Sequence, residues 1–401
     1  MGPVDADLVV VGCGPAGGTA AREAARAGLG VIVLERDPVV GAKRVCAAGL
    51  RPGYVRDFDL PRSIVHCDPG TITLTTEQRT YAFAVGPSHT TTREEHDGAL
   101  AALAVTEGAE IRTQALFRGI VRERDAIVVE YVDLATRERR RVRARSVFLA
   151  AGASAQLDGV DPAFAYAPWR DGLLTCIQHR VFLERPIDAA VYDTLEMHYY
   201  RSPLSGETII AWVFPKRDHL SVGLGLGPKV DAQVLRAELA SFLERVRARL
   251  FPGVAYHLRD EGSLLYGGAP RPVIARDGVL VGGTAAGLVD ATTGEGIYEA
   301  ALSGRFAAEA AAGARTGRVR DAARHYERAV KRTFYDRLRH RHRLMSFLER
   351  RPARFDVLFR QLEATPRFAE LLQHDRNDFT PLQWLYLYLQ AARFSIAAAR
   401  G

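Results

Sequence analysis

Three glycines and one carboxylate near the start of the chain have the types and spacing of a nucleotide-binding site. Gly12, Gly14 and Gly17 follow a short apolar run at residues 8–11, and Glu35 closes a second apolar run. Gly12 would permit a tight turn, Gly14 would let a pyrophosphate approach the backbone, and Gly17 would let a helix pack closely on a strand. Glu35 would bind ribose hydroxyls. The pattern predicts that the chain binds a dinucleotide.

The elements around these residues have the strand–helix–strand order that such a site needs. Residues 8–11 and 31–34 are apolar enough for strands buried on both faces, and residues 16–27 are rich in Ala, Glu and Arg, which favours a helix. The helix N-terminus would direct its free N–H groups and positive dipole at phosphate. The chain contains a single motif of this kind, so it offers no second Rossmann domain for a separate nicotinamide.

Composition limits the class of protein. The 401 residues are 47% hydrophobic and 25% charged, as in an ordinary globular protein of two or three lobes. Four cysteines without paired spacing argue against a disulfide framework or a zinc site and favour a reducing, cytoplasmic location. The net charge of +7 favours an anionic partner or surface. No nucleic-acid recognition motif is present, and we expect no nucleic-acid partner.

The remaining segments predict alternating layers. We predict helices at 93–105 and 231–250, a further helix that opens at 294–298 and runs to 311, and a mostly helical, basic chain beyond 318. We predict strands at 72–75, 80–85, 119–123, 126–132, 139–145, 146–152, 195–200, 208–214 and 220–226, and residues 108–112 are expected to lead into a further strand. The strands after about residue 165 are separated by short turns, which indicates an antiparallel sheet. His89 and His96 are expected at the surface.

Four segments together resemble one enzyme family. They are the N-terminal glycines, the loop Cys46-Ala-Ala-Gly-Leu50, the run Ala211-Trp-Val-Phe-Pro-Lys216 with Gly223-Leu-Gly225, and Gly283-Thr-Ala-Ala-Gly-Leu-Val-Asp-Ala-Thr-Thr-Gly-Glu-Gly-Ile-Tyr298. They resemble the geranylgeranyl reductase family of FAD-dependent enzymes, whose fold is that of the p-hydroxybenzoate hydroxylase superfamily. The sequence departs from the family pattern at Thr284 and Ala151, where an Asp is usual, and at Arg44-Val45, where a proline is usual.

The resemblance implies an α/β fold. A Rossmann-type FAD-binding domain would carry an inserted antiparallel-sheet substrate domain and a helical C-terminus. The FAD-binding domain would be discontinuous, at 1–70, 93–160 and 270–315. The substrate domain would comprise 71–92 and 161–269, and a basic helical region would occupy 316–401.

The resemblance also implies FAD as cofactor and either NADPH or reduced ferredoxin as electron donor. Arg93 would contact FAD, although a solvated arginine is an equal alternative. Gly294 and Gly296 would aim N–H groups at the flavin pyrimidine edge. The implied cofactor-binding residues are Gly12, Gly14, Pro15, Ala16, Gly17, Glu35, Arg36, Cys46, Ala47, Gly49, Arg93, Ala115, Gly152, Gly283, Thr284, Gly294, Gly296 and Ile297.

The implied reaction is saturation of carbon–carbon double bonds in a prenyl chain by hydride from flavin N5. Cys46 would lie beside the flavin and either donate a proton or couple the redox state of the flavin to the position of its loop, or it is simply a small buried residue. Trp212, Phe214, Pro215 and Tyr298 would line a prenyl tunnel, or they are plain core. The substrate would be a geranylgeranyl lipid, a chlorophyll-type pigment, a quinone or a diphosphate.

Two rival functions stay open. One is a flavin monooxygenase or halogenase of the same fold, which Ala151 and Ile210 disfavour because they replace residues typical of those enzymes. The other is a prenyl-lipid-binding homologue without catalysis, which Thr284 and Ala151 motivate.

The basic C-terminal region has two interpretations. Its arginines form a solvated helical face, or they attract anionic lipid headgroups or a diphosphate. The apolar stretch at 381–389 would dock on a bilayer, close the tunnel or pack as a last helix, and we expect peripheral contact with the inner face of a membrane. The arginines concerned are Arg337, Arg339, Arg341, Arg343, Arg350, Arg351 and Arg354.

Overall fold

A computed structural model describes residues 4–42, 45–86, 88–155, 157–227, 230–316, 319–373 and 379–400. Arg44, one of the departures from the family pattern, lies outside the described residues. The strands are β1 (Ala6–Val11), β2 (Val31–Leu34), β3 (Gly49–Leu50), β4 (Thr71–Thr75), β5 (Thr80–Ala84), β6 (His89–Thr90), β7 (Glu110–Arg112), β8 (Ala115–Arg122), β9 (Ile127–Asp133), β10 (Arg139–Leu149), β11 (Leu173–Leu183), β12 (Thr194–Arg201), β13 (Thr208–Pro215), β14 (Leu220–Leu226), β15 (Tyr256–Tyr266), β16 (Ala275–Arg276) and β17 (Val279–Val281). The helices are α1 (Pro15–Arg26), α2 (Tyr54–Asp57), α3 (Arg93–Thr106), α4 (Ala232–Leu250), α5 (Ile297–Thr316), α6 (Val319–Val330), α7 (Asp336–Glu349), α8 (Ala353–Ala364), α9 (Pro366–Gln373) and α10 (Pro381–Arg400).

An eight-stranded sheet positions the N-terminal glycines. Its strands β17, β10, β1, β2 and β7 are parallel neighbours in that order, and β16 pairs antiparallel with β17. The four residues of β2 are apolar and buried, as in a parallel strand covered on both faces. Because the carboxyl ends of parallel strands meet at one edge, the loops after β1, β2 and β17 converge there.

A seven-stranded sheet in the order β15-β11-β14-β13-β12-β4-β5 has both faces covered. Helix α4 packs on one face through apolar residues that include Leu239 and Phe242. The C-terminal helices cover the other face, where Met345, Phe355 and Phe359 lie. Within the described ranges, no helix combines the length and apolarity needed to cross a bilayer.

Two features of these sheets differ from the sequence prediction. The strands predicted at 139–145 and 146–152 are wrong as separate elements, because they form the single strand β10. Its first half pairs with β9 near solvent and its second half pairs with β1 in the core. The residues therefore change from mostly charged to mostly apolar while the strand itself continues. The prediction also missed β11 and β15. Charged residues in the middle of β15 hide its strand character, and eleven antiparallel residue pairs with β11 hold it in the sheet.

Helices α1 and α5 cross in close contact, with the first turns of α1 against Gly304 of α5. Gly304 of α5 has no room for a side chain, since a Cβ there would lie 2.2 Å from the carbonyl oxygen of Ala16. Gly17 of α1 is equally confined, because its Cβ would lie 1.8 Å from the carbonyl oxygen of Gly12. Small residues therefore set two distances: that between α1 and α5, and that between α1 and the turn after β1.

We expect Gly304→Ala to lower the free energy of unfolding by about 2 kcal/mol, because overpacking against fixed backbone costs about 1–3 kcal/mol. Gly313→Ala on the same helix is the matched control, since a Cβ there would meet no atom within 4 Å. It should raise stability by up to about 1 kcal/mol through helix propensity. Urea unfolding followed by circular dichroism measures both, and equal effects would contradict the close crossing.

Candidate functional site

The loop between β1 and α1 turns tightly at the start of the helix. Gly12 has a φ of +92°, and its N–H donates to the carbonyl oxygen of Leu34 at 2.8 Å. Glu35 accepts from the backbone N–H groups of Cys13 at 2.7 Å and of Asp37 at 2.9 Å. The first turn of α1 contains no acidic residue. The helix N-terminus therefore keeps its positive potential at this loop, with Glu35 anchored at the loop's edge.

A buried arginine from α3 stands beside this loop. Arg93 pairs with Asp97 at 2.6 Å, and a Cβ on Gly14 would lie 3.2 Å from its Nη2. Asp97 also contacts His96 at 2.8 Å. Burial alone would raise the pKa of the Asp97 carboxyl, but Arg93 and His96 outweigh it and hold that pKa below its usual value. The alternative of a solvated Arg93 is therefore wrong.

The expectation that His89 and His96 lie at the surface is also wrong. Both are buried, and His96 is fully inaccessible. The ring nitrogens of His96 lie 2.8 Å from Asp97 and 2.8 Å from the hydroxyl of Tyr54, while His89 lies 2.6 Å from Asp68. The tertiary structure brings Asp68 to His89 and Tyr54 to His96, whose carboxylate partner Asp97 is its neighbour in the sequence, and these contacts make burial of the polar rings tolerable.

The loop that contains Cys46 is shaped by backbone strain and close packing. Ala48 has a φ of +47°, a left-handed value that residues with a side chain rarely adopt, and its N–H donates to Cys46 Sγ at 3.3 Å. Gly49 pairs with Thr90 between β3 and β6, and a Cβ on Gly49 would lie 2.8 Å from the ring of Phe214. The loop therefore lies directly against the end of β13.

Lys216, the residue that follows β13, holds the same loop in place. Its side chain is buried, and Nζ donates to the carbonyl oxygens of Ala47 at 2.6 Å and Ala48 at 3.4 Å. Burial lowers the pKa of the Lys216 ammonium to about 7. A single side chain thus fixes the backbone that follows Cys46.

A second helix start lies opposite α1. The chain turns after β17 at Gly283, which has a φ of +55° and donates its N–H to Ser303 Oγ at 3.1 Å. Gly294 has a φ of +73°, and a Cβ on Gly296 would lie 3.0 Å from the carbonyl oxygen of Leu288. Helix α5 begins one residue later. Glycines are therefore needed for the chain to enter this helix.

Beneath that helix start lies a cluster of buried ion pairs. Arg51 pairs with Glu295 at 2.7 Å and with Glu299 at 2.9 Å, and Arg337 pairs with Glu299 at 2.6 Å and Asp290 at 3.5 Å. Glu299 is fully inaccessible, and Asp290 is buried. These contacts join the Cys46 loop region, the start of α5 and helix α7.

Two arginines of the basic C-terminal region are consequently internal. Arg337 is buried, and Arg341 pairs with Asp290 at 3.4 Å and donates to the carbonyl oxygen of Leu372 in α9. Burial opposes ionisation of Asp290, but Arg341 and Arg337 outweigh it and lower the pKa of that carboxyl. The interpretation of a solvated face is therefore wrong for these two residues.

One cavity of about 2360 Å³ connects all of these segments. Ligand pockets commonly measure about 300–1,000 Å³, so this space has room for more than one ligand. Gly17 is the predicted cofactor residue that does not line it, because it packs α1 on β1 instead. The lining includes the other predicted residues: Gly12, Gly14, Pro15, Ala16, Glu35, Arg36, Cys46, Ala47, Gly49, Arg93, Ala115, Gly152, Gly283, Thr284, Gly294, Gly296 and Ile297.

One branch of the cavity, the apolar channel, follows strands β12 and β13. Phe214, Trp212, Ile210 and Thr208 line it at every second residue, as expected for one face of a strand. At a rise of about 3.3 Å per residue, this row spans about 20 Å. The helices of the opposite wall contribute Leu344, Leu348, Phe355, Leu358 and Phe359.

Two of the four predicted substrate residues lie elsewhere. Trp212 and Phe214 line the cavity, but Pro215 and Tyr298 do not. Pro215 pairs with Leu220 at the end of β13, and Tyr298 packs edge-on against Phe58, with ring centroids 5.7 Å apart. The alternation of the strand turns Pro215 away from the channel.

Several residues that build this site were not predicted from the sequence. Lys216 and Asp290 lie within the family-like segments 211–216 and 283–298, so their position in those motifs was an available signal. Arg51, Glu299 and Arg337 are far apart in the sequence, and no local pattern pairs them.

The residues present fit FAD. The donor set for a pyrophosphate is the glycine loop at the N-terminus of α1, where the tight approach of Gly17 to Gly12 leaves no room for side chains. Glu35 supplies an acceptor at the end of β2, and a second glycine-rich helix start at Gly294 and Gly296 borders the same cavity. FAD would therefore be held by α1, β2 and α5 together.

Comparison with known proteins defines the class. A family model described as FAD dependent oxidoreductase matches residues 7–83. The computed structure superposes on a geranylgeranyl bacteriochlorophyll reductase-like protein of Thermoplasma acidophilum with a TM-score of 0.72 and 22% sequence identity, covering 95% of each chain. The fold and the site thus define an FAD-dependent oxidoreductase with the α/β architecture that the sequence predicted.

Two sequence relatives give the family. A geranylgeranyl diphosphate reductase of Rhodobacter capsulatus is 30% identical over 315 residues, which cover 76% of this chain and 74% of the relative. A digeranylgeranylglycerophospholipid reductase of Thermoplasma acidophilum is 27% identical, over 76% of this chain and 77% of that one. The chain belongs to the geranylgeranyl reductase family, and the resemblance inferred from its motifs is confirmed.

We expect Lys216→Met to remove a pH dependence of stability. The pKa of the buried ammonium is about 7, against an ordinary value of 10.5, so the unfolded chain binds more protons between these values and stability rises with pH. Relative to the variant, the unsubstituted protein should gain about 1.4 kcal/mol per pH unit in this window. Lys331→Met, at a half-exposed lysine, is the control and should follow the unsubstituted protein. Denaturant unfolding at a series of pH values measures this difference. If the free energies of unfolding of Lys216→Met and of the unsubstituted protein changed in parallel with pH, the burial of Lys216 would be contradicted.

We expect Arg337→Met to lower stability by about 3 kcal/mol, because the buried Glu299 and Asp290 would each lose one of two arginine partners and keep only Arg51 and Arg341, respectively. It should also weaken FAD binding, since Asp290 and Glu299 flank the start of α5. Arg339→Met on the same helix, where the side chain is 45% exposed, is the matched control. Thermal unfolding and a fluorescence titration with FAD measure the two effects. Unchanged FAD affinity in a folded Arg337→Met protein would limit the cluster to a stabilising role.

Proposed function

We propose that this enzyme saturates isolated carbon–carbon double bonds of a geranylgeranyl chain. One observation carries the proposal: the apolar channel along β12 and β13 belongs to the same cavity as the two glycine-rich helix starts. Its length of about 20 Å suits an extended prenyl chain rather than a compact aromatic ring. Its relatives, a geranylgeranyl diphosphate reductase and a digeranylgeranylglycerophospholipid reductase, support the same substrate class.

When bound and reduced, FAD supplies a hydride to one carbon of the double bond. An isolated double bond has no carbonyl group for the protein to polarise, so placement and exclusion of water must provide most of the rate. Trp212, Phe214 and Met197 supply apolar wall on the sheet side, and Phe355 and Phe359 supply it on the helix side. These residues would hold the prenyl chain in an extended conformation and exclude water from it.

Cys46 is the proposed proton donor to the neighbouring carbon. It lines the cavity, and the Ala48 N–H donates to its sulfur at 3.3 Å. Lys216 holds the following backbone and would keep the thiol at a fixed depth. Cys176 also lines the cavity, at the strand β11 beside Gly225, and is the second candidate.

Two further features complete the proposal. NADPH or reduced ferredoxin would reduce the flavin, and the single Rossmann unit does not choose between them. The prenyl chain would be carried by a membrane lipid, a chlorophyll-type pigment, a quinone or a diphosphate, which places the enzyme in lipid or pigment biosynthesis.

An anaerobic turnover experiment tests the proposal. Protein loaded with FAD is reduced with dithionite and mixed with geranylgeranyl lipids that differ in headgroup, while flavin absorbance and product mass are followed. We expect reoxidation of the flavin and a gain of two hydrogens per double bond. Cys46→Ala should keep bound FAD and lose about two orders of magnitude in rate, a typical contribution of general acid catalysis, whereas Cys67→Ala should keep the rate.

The other outcomes separate the rival functions. Flavin that stays reduced with every prenyl substrate would overturn the proposal, and a rapid reaction of that flavin with oxygen would point to a monooxygenase or halogenase. Failure to bind FAD would favour a prenyl-lipid-binding protein without catalysis.

A further inference from the structure

The last helix, α10, is apolar on two opposite faces. Its inner face carries Gln390, Phe394 and Ala398, which are buried against the rest of the protein. Its outer face carries five of the twelve exposed large hydrophobic side chains found among the described residues. This outer stripe consists of Leu382, Leu385, Tyr388, Leu389 and Ile396, each more than half exposed.

The outer stripe is a continuous surface. Leu382, Leu385, Leu389 and Ile396 recur at intervals of three, four and seven residues, which places them on one side of a helix. A helix that is hydrophobic all round is normally buried, so an exposed stripe of this size calls for a partner.

Charge indicates which partner. Among residues 381–398, whose side chains the structure describes, the single charged residue is Arg393, a cation on the exposed side of the helix. Exposed Arg367 of α9 lies over the ring of Tyr386, with its guanidinium carbon 5.2 Å from the centroid. Cations at the edges of an apolar face suit an anionic lipid surface, because their stems lie along the apolar region while the charges reach the headgroups.

The position of the stripe also favours a bilayer. Helix α10 packs on α8, where Gln361 donates to Gln390 at 2.9 Å. Leu362 at the end of α8, and Ala369 and Leu372 of α9, line the cavity. Helices α8 and α9 therefore wall the cavity, and α10, which carries the outer stripe, packs on their other side.

We propose that α10 lies in the surface of an anionic bilayer, with the outer stripe among the acyl chains. A prenyl lipid would then pass from the membrane beneath α8 and α9 into the apolar channel. The second statement rests on the proposed function, whereas the first does not. The described helices include none able to span a bilayer, so the contact is with one leaflet.

Vesicle flotation tests the proposal with the full FAD-loaded chain. Vesicles contain phosphatidylcholine with or without phosphatidylglycerol, and no prenyl substrate is present. We expect binding that is stronger with phosphatidylglycerol and weakened roughly a hundredfold by combined Leu382→Gln, Leu385→Gln and Leu389→Gln substitutions. The matched control combines Leu134→Gln, Leu204→Gln and Leu258→Gln, three exposed leucines on other surfaces, and should bind normally.

A second measurement does not depend on those variants. Trp384 lies within α10, and brominated acyl chains should quench its fluorescence in the unsubstituted protein, with the quenched component lost in Trp384→Phe. Absence of both flotation and quenching would overturn the proposal. Binding to neutral vesicles alone, or a concentration-dependent dimer that the triple α10 variant abolishes, would also overturn it and assign the stripe to another partner. The anaerobic turnover experiment is separate from these binding measurements, which contain no prenyl substrate. Failure of the reductase reaction would therefore leave the vesicle test interpretable.

Discussion

The buried ion cluster around Glu299 is the constraint on which the rest of the site depends. Arg51, Glu299 and Arg337 come from three distant segments, and each is shielded from water. Removing one charge from such a group leaves the remaining buried charges only partly compensated, so the three segments must assemble together. The start of α5, the loop after Cys46 and helix α7 are consequently fixed as one unit. The walls of the cavity at the start of α5 follow from that arrangement.

The seven-stranded sheet serves two purposes because side chains alternate along each strand. Ile209, Ala211 and Val213 face α4 and form an ordinary core, while Trp212 and Phe214 face the cavity. The same strands therefore supply stability on one side and a wall of the cavity on the other. This division explains why both interpretations of the aromatic run, core and tunnel, were reasonable from the sequence.

The C-terminal helices complete the molecule from outside the two sheets. Arg341 of α7 reaches both Asp290, which precedes α5, and the end of α9, so these helices are tied to the cavity wall. Helices α8 and α9 close the cavity, and α10 covers them with its inner face. An apolar channel and an apolar outer stripe on adjoining helices are consistent with a substrate that is itself a membrane component.

The sequence by itself determined the nucleotide-binding unit, the family and the apolar strands. Those features depend on local spacing, because Gly12, Gly14 and Gly17 at these intervals fit the turn from a strand into a nucleotide-binding helix. A short motif of this kind can be read directly from the linear sequence. The tertiary structure alone decided the environment of charged and aromatic residues. His96 and Arg337 look like surface residues in the sequence, and their burial depends on partners that the fold brings to them: Tyr54 lies 42 positions from His96, and Glu299 lies 38 positions from Arg337. Likewise, nothing local shows that Lys216 contacts Ala47, since a hydrogen bond across 169 positions exists only once the loop of Cys46 has packed against the end of β13.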